Sequence, residues 1–255
     1  MSRRRTKADR AMPDGVVLDE AAARDEVCRT ALAMSRMGLS PGRSGNVSRR
    51  TAGGMAITPS GMAYEAMAPS DVVLMAADGH VSGGQRKPSS EWRFHLDCYA
   101  ARPDIGGIVH SHSMHATVLA CAGREIPAFH YMVAVAGGRS IPLVPYATFG
   151  TKALSRHVVK GLAKRNACLM ANHGQIAVGA DCAAALELAG EVEVLAEQYV
   201  KVLAIGGANL LGKVEMARVA ALFAGYGQKV EAANEGRAAQ RSPPSAEPAR
   251  HKGKA

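Results

Sequence analysis

Residues 87–112 run Lys87-Pro88-Ser89-Ser90-Glu91-Trp92-Arg93-Phe94-His95-Leu96-Asp97-Cys98-Tyr99-Ala100-Ala101-Arg102-Pro103-Asp104-Ile105-Gly106-Gly107-Ile108-Val109-His110-Ser111-His112. Pro88-Ser89-Ser90 reads as a helix start, because proline suits a first turn and a serine side chain can accept the otherwise unpaired N–H groups there. The helix would run to Ala101 and end at Arg102-Pro103, since the residue before a proline is driven out of the helical region. The short apolar run Ile105 to His110 then reads as a buried strand. A helix followed at once by a strand points to a layered α/β domain.

Working outward, Leu18 to Met37 has helical spacing of Ala, Val, Leu and Met, with Gly38 as its stop. The loop Leu39 to Asn46 follows, then extended runs at Val47–Arg50, Met55–Thr58 and Val72–Ala76. Downstream, a short helix over Ala116–Cys121 is predicted, then proline-punctuated chain from Pro127 to Phe149 and a helix over Lys152–Lys164. Two strands, Ala167–Met170 and Gln175–Val178, flank the tight turn Asn172-His173-Gly174. Asp181 caps a long helix to Ile205, and a last helix covers Val214–Phe223.

The chain has 255 residues, 47% hydrophobic and 21% charged, ordinary globular usage. Its formal charge of +9 resides mostly at the ends: residues 1–10 carry +4 and residues 228–255 carry +3, leaving +2 for the body. A basic nucleic-acid footprint on the body is not supported. The sequence divides into a basic N-terminal extension (1–17), one domain (18–230) and a basic C-terminal tail (231–255), both ends expected to be disordered. Five widely spaced cysteines without a C-x-x-C pair suit reduced thiols, and no run of about 18 apolar residues occurs. A cytoplasmic protein that does not cross a membrane is expected.

The chemistry concentrates in two places. In His110-Ser111-His112 the period of two on a strand puts both imidazoles on one face, and His173 can complete a three-ligand zinc site with an open position. His115, three residues after His112, competes as a ligand. His80, His95, His130 and His157 have no partner spacing and read as surface or hydrogen-bonded core residues. The second place is Ser89-Ser90-Glu91, where N–H groups and hydroxyls at a helix start suit a phosphate; the plain alternative is an ordinary N-cap. Gly45-Asn46 and Ser60-Gly61 lie in loops that can add donors to the same phosphate, and Arg43 is either solvated or within reach of the anion.

Lys87 to His95, Val109-His110-Ser111-His112, Phe129-His130-Tyr131-Met132 and Pro145-Tyr146-Ala147-Thr148-Phe149-Gly150-Thr151 resemble the class II aldolase/adducin family, in particular its fuculose-phosphate aldolase branch. Gly45-Asn46-Val47-Ser48, Ile57-Thr58-Pro59-Ser60-Gly61 and Glu191 to Ala196 extend the likeness over about residues 22–230. The resemblance implies a three-layer α/β fold with a central, mostly antiparallel sheet flanked by helices. It implies one Zn2+ per subunit on His110, His112 and His173, with Glu91 as the acid/base that also approaches the metal. It implies phosphate binding by Gly45, Asn46, Ser60, Gly61, Ser89 and Ser90, and a homotetramer in which Tyr131 reaches a neighbouring subunit's site. Phe149, Phe223 and Tyr226 would stand on the aldehyde side. Ser60 replaces the family's threonine, and Arg43-Ser44 replaces a small pair.

The implied reaction is reversible cleavage of a ketose 1-phosphate, such as L-fuculose 1-phosphate, to dihydroxyacetone phosphate and an aldehyde such as L-lactaldehyde. Burial near the phosphate would raise the Glu91 pKa toward the range useful for proton transfer. Three rivals are a lysine Schiff-base aldolase through Lys87, a sugar-phosphate epimerase or dehydratase of the same family, and a non-catalytic adducin-like interaction module.

Overall fold

A computed structural model of the chain describes residues 18–223. The N-terminal extension, the C-terminal tail and Tyr226 lie outside the described residues.

The first helix, α1 (Glu20–Arg36), is capped by Asp19, whose carboxylate accepts from the Ala22 N–H at 2.8 Å. Three strands follow, β1 (Asn46–Thr51), β2 (Gly54–Ile57) and β3 (Val73–Ala76). Then come α2 (Trp92–Ala101), β4 (Gly107–Ser111) and α3 (Met114–Cys121). After a 3-10 helix at Tyr131–Ala136 the chain forms β5 (Leu143–Val144), α4 (Lys152–Leu162), β6 (Ala167–Met170) and β7 (Gly174–Gly179). The last helices are α5 (Cys182–Ala204), capped by Asp181 on the Ala184 N–H at 2.8 Å, and α6 (Lys213–Phe223).

The strands form one seven-stranded sheet in the order β3-β2-β1-β4-β7-β6-β5. All neighbours are antiparallel except β5 and β6. Two hydrophobic cores cover its two faces. One gathers Val27 and Met34 of α1, Leu119 of α3 and Val192 of α5 against Val47, Val109 and Ala177. The other sets Phe94 of α2 and Leu154 and Val158 of α4 against Ile57, Ile108 and Ile176. Alternate residues of β4 enter different cores, which is why this central strand is buried throughout. The class is therefore α/β with three layers, helix–sheet–helix. None of the described helices is long and apolar enough to cross a membrane.

The expected helices and strands are present, with a later start for α2 and one added strand. Residues 89–92 make a turn, with Trp92 N–H on the Ser89 carbonyl at 3.1 Å, so α2 begins after Glu91 rather than at Pro88-Ser89-Ser90. The addition is β5, two residues between Pro142 and Pro145, too short for a period to register.

Candidate metal centre and active-site cleft

Three segments deliver the site. β4 carries His110 and leads directly into His112, the turn before α2 carries Glu91, and the β6–β7 hairpin carries His173 at its tip. The tip needs a left-handed residue, supplied by Asn172 at φ 54°, a conformation asparagine tolerates better than most. Gly174 follows, where a Cβ would come within 2.5 Å of the Ser111 carbonyl oxygen and 2.9 Å of His112 Cδ2.

The three imidazoles stand edge to face with ring centroids 4.9 Å apart in each pair. His110 Nε2 is 3.1 Å from His112 Nε2 and 3.1 Å from Glu91 Oε2; His173 Nε2 is 3.2 Å from Glu91 Oε1. All four ligand atoms lie within 4.8 Å of one another. His110 Nδ1 donates to the Gln175 carbonyl oxygen at 2.8 Å, so in the neutral ring Nε2 carries a bare lone pair. That lone pair faces a carboxylate oxygen, and Glu91 Oε1 is buried without a hydrogen-bond partner. Lone pairs converging in a buried space repel unless a cation sits among them, and three imidazoles with one carboxylate are a donor set for a divalent transition metal. The residues fit a metal ion.

Burial raises the Glu91 pKa, but the His110 and His173 imidazoles beside it, when they carry a proton on Nε2, outweigh burial and leave the carboxyl well below its usual range. The expected raised pKa is thus corrected for this arrangement: the histidines, not the phosphate loops, set the net direction. Burial, with His110 and His173 nearby, lowers the His112 pKa to about 3, so this ring stays neutral and able to ligate. His115 does not join: its Nδ1 and backbone N–H both bond Glu193 Oε1 at 2.8 Å.

A cleft of about 280 Å3 opens on Glu91, His112 and His173, with Ser90, Phe149 and Tyr146 on its walls. Ser44 and Asn172 also line it. Tyr146, Asn172 and Ser44 received no role from the sequence, although Tyr146 lies in the quoted Pro145–Thr151 run and Asn172 in the Asn-His-Gly turn. Ser60 and Gly61 line a second cleft with Arg43, Arg86 and Lys87. The loops are tied together: Arg43 Nη1 donates to the Gly61 carbonyl at 2.9 Å, Ser60 N–H to Lys87 O at 3.0 Å, and Ser89 N–H to Thr58 O at 3.0 Å. Gly45 N–H is taken by Ser40 Oγ at 2.8 Å, and the Asn46 amide by Glu91 and His95. These two residues shape the cradle in this state rather than offer free donors. Tyr131, 49% exposed, stacks on Phe223 with centroids 6.3 Å apart, and neither lines the cleft of its own chain.

The model of the family described as class II aldolase and adducin N-terminal domain matches residues 25–200. The chain belongs to this family. Among class II aldolase relatives, the 5-methylthioribulose-1-phosphate/5-deoxyribulose-1-phosphate aldolase of Rhodospirillum rubrum is 50% identical over 198 residues, 78% of this chain and 89% of that one. The L-fuculose phosphate aldolase of Escherichia coli K12 is 46% identical over 207 residues, covering 81% and 96%. A solved L-fuculose 1-phosphate aldolase superposes with a TM-score of 0.77 at 38% identity, covering 80% of this chain and 96% of its own. Class II aldolases are metal-dependent lyases, in keeping with the Glu91–His110–His112–His173 group.

Proposed function

We propose that the chain is a zinc-dependent aldolase that cleaves a ketose 1-phosphate to dihydroxyacetone phosphate and a short aldehyde. The supporting observation is the convergence of the Glu91 carboxylate with the Nε2 atoms of His110, His112 and His173, where Glu91, His112 and His173 open on one cleft. The substrate class spans L-fuculose 1-phosphate and the 5-deoxypentulose 1-phosphates named for the two relatives.

Zinc held by His110, His112 and His173 would supply Lewis-acid stabilisation of the negative charge that develops on the dihydroxyacetone phosphate half. Ser89 and Ser90, with Ser60 and Gly61, hold the phosphate in a cradle that Gly45 and Asn46 shape, and so register the C3–C4 bond over Glu91. In condensation Glu91, poised as a carboxylate, removes a proton from C3 of dihydroxyacetone phosphate, and the new C3–C4 bond forms with the electron pair left behind. In cleavage, which starts with Glu91 protonated from solvent, the C4 hydroxyl loses its proton, the C4–O bond becomes the aldehyde carbonyl, the C3–C4 pair moves to C3, and Glu91 gives its proton to C3. The partner subunit's Tyr131 exchanges the C4-oxygen proton. Phe149 with Phe223 and Tyr226 would enclose the aldehyde.

A homotetramer with sites at its interfaces suits the exposed apolar side chains Met114 and Val118 on α3, Val194 on α5, and Val214 and Leu222 on α6. Lys87 lines the second cleft beside Ser60 and Gly61, on the side assigned to the phosphate, and does not line the cleft that holds Glu91, which counts against a Schiff base there. The full ligand set counts against a non-catalytic module. A cytoplasmic enzyme acting on a free sugar phosphate is the setting this implies.

The test is dihydroxyacetone phosphate release by metal-replete protein from L-fuculose 1-phosphate, 5-deoxyribulose 1-phosphate and 5-methylthioribulose 1-phosphate, beside Glu91→Gln. Release from at least one, lost in the variant, is the expected result. An epimerised or dehydrated product without release would overturn the aldolase reading, and full activity of Glu91→Gln would remove Glu91 from its role.

A further inference from the structure

His95 has no part in the reaction just described, yet it is fully buried in α2 and bonded at both ring nitrogens. Its Nε2 lies 2.6 Å from Asn46 Oδ1, and its Nδ1 2.7 Å from Ser48 Oγ. Asn46 Nδ2 donates in turn to Glu91 Oε2 at 3.0 Å, and Ser48 Oγ lies 2.8 Å from the Tyr99 hydroxyl. Phe94 stacks on the imidazole with centroids 4.7 Å apart.

The polarity of this chain is determined from one end. A carboxylate only accepts, so Asn46 turns its NH2 toward Glu91 and its Oδ1 toward His95. An amide oxygen only accepts, so His95 carries its hydrogen on Nε2, and Nδ1 accepts from the Ser48 hydroxyl. Rotating the Asn46 amide by a half turn would set NH2 against N–H and C=O against the carboxylate. Two buried hydrogen bonds would then become two repulsions.

We propose that His95 is a positioning residue for the reaction: acting through Asn46, it holds the Glu91 carboxylate in the single orientation that faces His110 and the cleft. Without that donor the Asn46 amide is free to turn, and Glu91 samples orientations unproductive for proton transfer. The inference rests on the aldolase reading of Glu91.

Two polar replacements separate positioning from mere support of the fold. In His95→Gln the side-chain NH2 reaches about where Nε2 lay and restores the donor to Asn46. In His95→Asn the amide ends about where Nδ1 lay, keeping Ser48 and losing Asn46. The expected kcat is near wild type for His95→Gln and down about 10–100-fold for His95→Asn, the range for loss of an outer-shell partner, with KM and bound metal nearly unchanged. In an Asn46→Ala background the two variants become equal, since the route is cut. Equal kcat for the two in the native background, or an undiminished difference in the Asn46→Ala background, would overturn the proposal. The wild-type protein supplies a readout independent of folding of the variants: imidazole 15N shifts place the His95 proton on Nε2 between pH 5 and 8, and the Nδ1-protonated form would overturn the proposal. Wild-type protein releasing no dihydroxyacetone phosphate would instead strike the aldolase reading and leave the tautomer result standing.

Discussion

The His110 imidazole gives its Nδ1 hydrogen to the carbonyl oxygen of Gln175 at 2.8 Å, and this bond between neighbouring strands turns Nε2 toward Glu91 and His112. The β4–β7 ladder places Ser111 opposite Gln175 and His110 opposite Ile176, so the ring's orientation is built into the sheet. The orientation of this candidate ligand is therefore set by the pairing of the strands.

Removing the ion should abolish the reaction. Protein stripped with a chelator is expected to lose activity and to recover it with one equivalent of Zn2+ per subunit. His110→Ala and His173→Ala should each hold no stoichiometric metal by elemental analysis, a loss beyond the roughly 10–100-fold typical of outer-shell changes. Full activity in the presence of excess chelator would refute the metal assignment.

Gly45 should tolerate no side chain. A Cβ there would lie 2.6 Å from Ser40 Oγ, 2.8 Å from the His110 carbonyl oxygen and 2.9 Å from Met34 Cε. Gly45→Ala is expected to destabilise the protein by about 1–3 kcal/mol and to weaken zinc binding, because Asn46 and His110 are paired across β1 and β4. Urea denaturation and a zinc titration check the two effects.

Stability should fall on the acid side through His95. Burial, with His110 nearby, lowers its pKa to about 3 from the ordinary 6.5. The unfolded chain therefore binds a proton that the folded chain refuses, and stability present above pH 6.5 is lost as the pH falls toward 3. The slope from this group is about 1.4 kcal/mol per pH unit in that window. Urea midpoints of metal-free protein at pH 7 and pH 5 should show it, and His95→Gln should flatten the difference.

Glu26 is expected to matter to folding without touching the cleft. Its Oε2 pairs with Arg49 Nε at 3.0 Å and its Oε1 accepts from Cys182 N–H at 2.8 Å, joining α1, β1 and the start of α5. Glu26→Ala should cost about 1–3 kcal/mol, since Arg49 is buried and the Cys182 N–H loses its acceptor. Thermal denaturation measures the loss, and an unchanged Tm would show the pair to be dispensable.

Borohydride added with substrate should leave activity intact, because Lys87 lines the cleft of Ser60 and Gly61 and not the one that holds Glu91. Inactivation by borohydride would restore the Schiff-base route.

Helices with capping residues and apolar strands were legible because both signals are local: Asp181 starts α5, and Val109 and Ile108 alternate between cores. Of the group that gathers at the cleft, the His110–His112 spacing marked two members, while Glu91 and the choice of His173 came in through the family resemblance. The His95–Asn46–Glu91 connection was not, since it joins a helix to a strand distant in sequence and no spacing rule registers it. The direction of the Glu91 pKa was missed for a related reason. Burial was foreseeable, but its competition with His110 and His173 depends on distances that only the fold supplies.

The hairpin that carries His173 at its tip has a further consequence for how the chain is vetted in a cell. Ligands from the turn before α2, from β4 and from the β6–β7 tip meet only if β4 and β7 pair in the correct register. A slip of one residue would turn the facing side chains to the opposite layer. An ion that binds only the correctly assembled chain draws the folding equilibrium toward it by mass action. Supply of that ion would then govern not just turnover but how long each molecule survives proteolysis, so that scarcity of it would thin the enzyme pool as well as idle it.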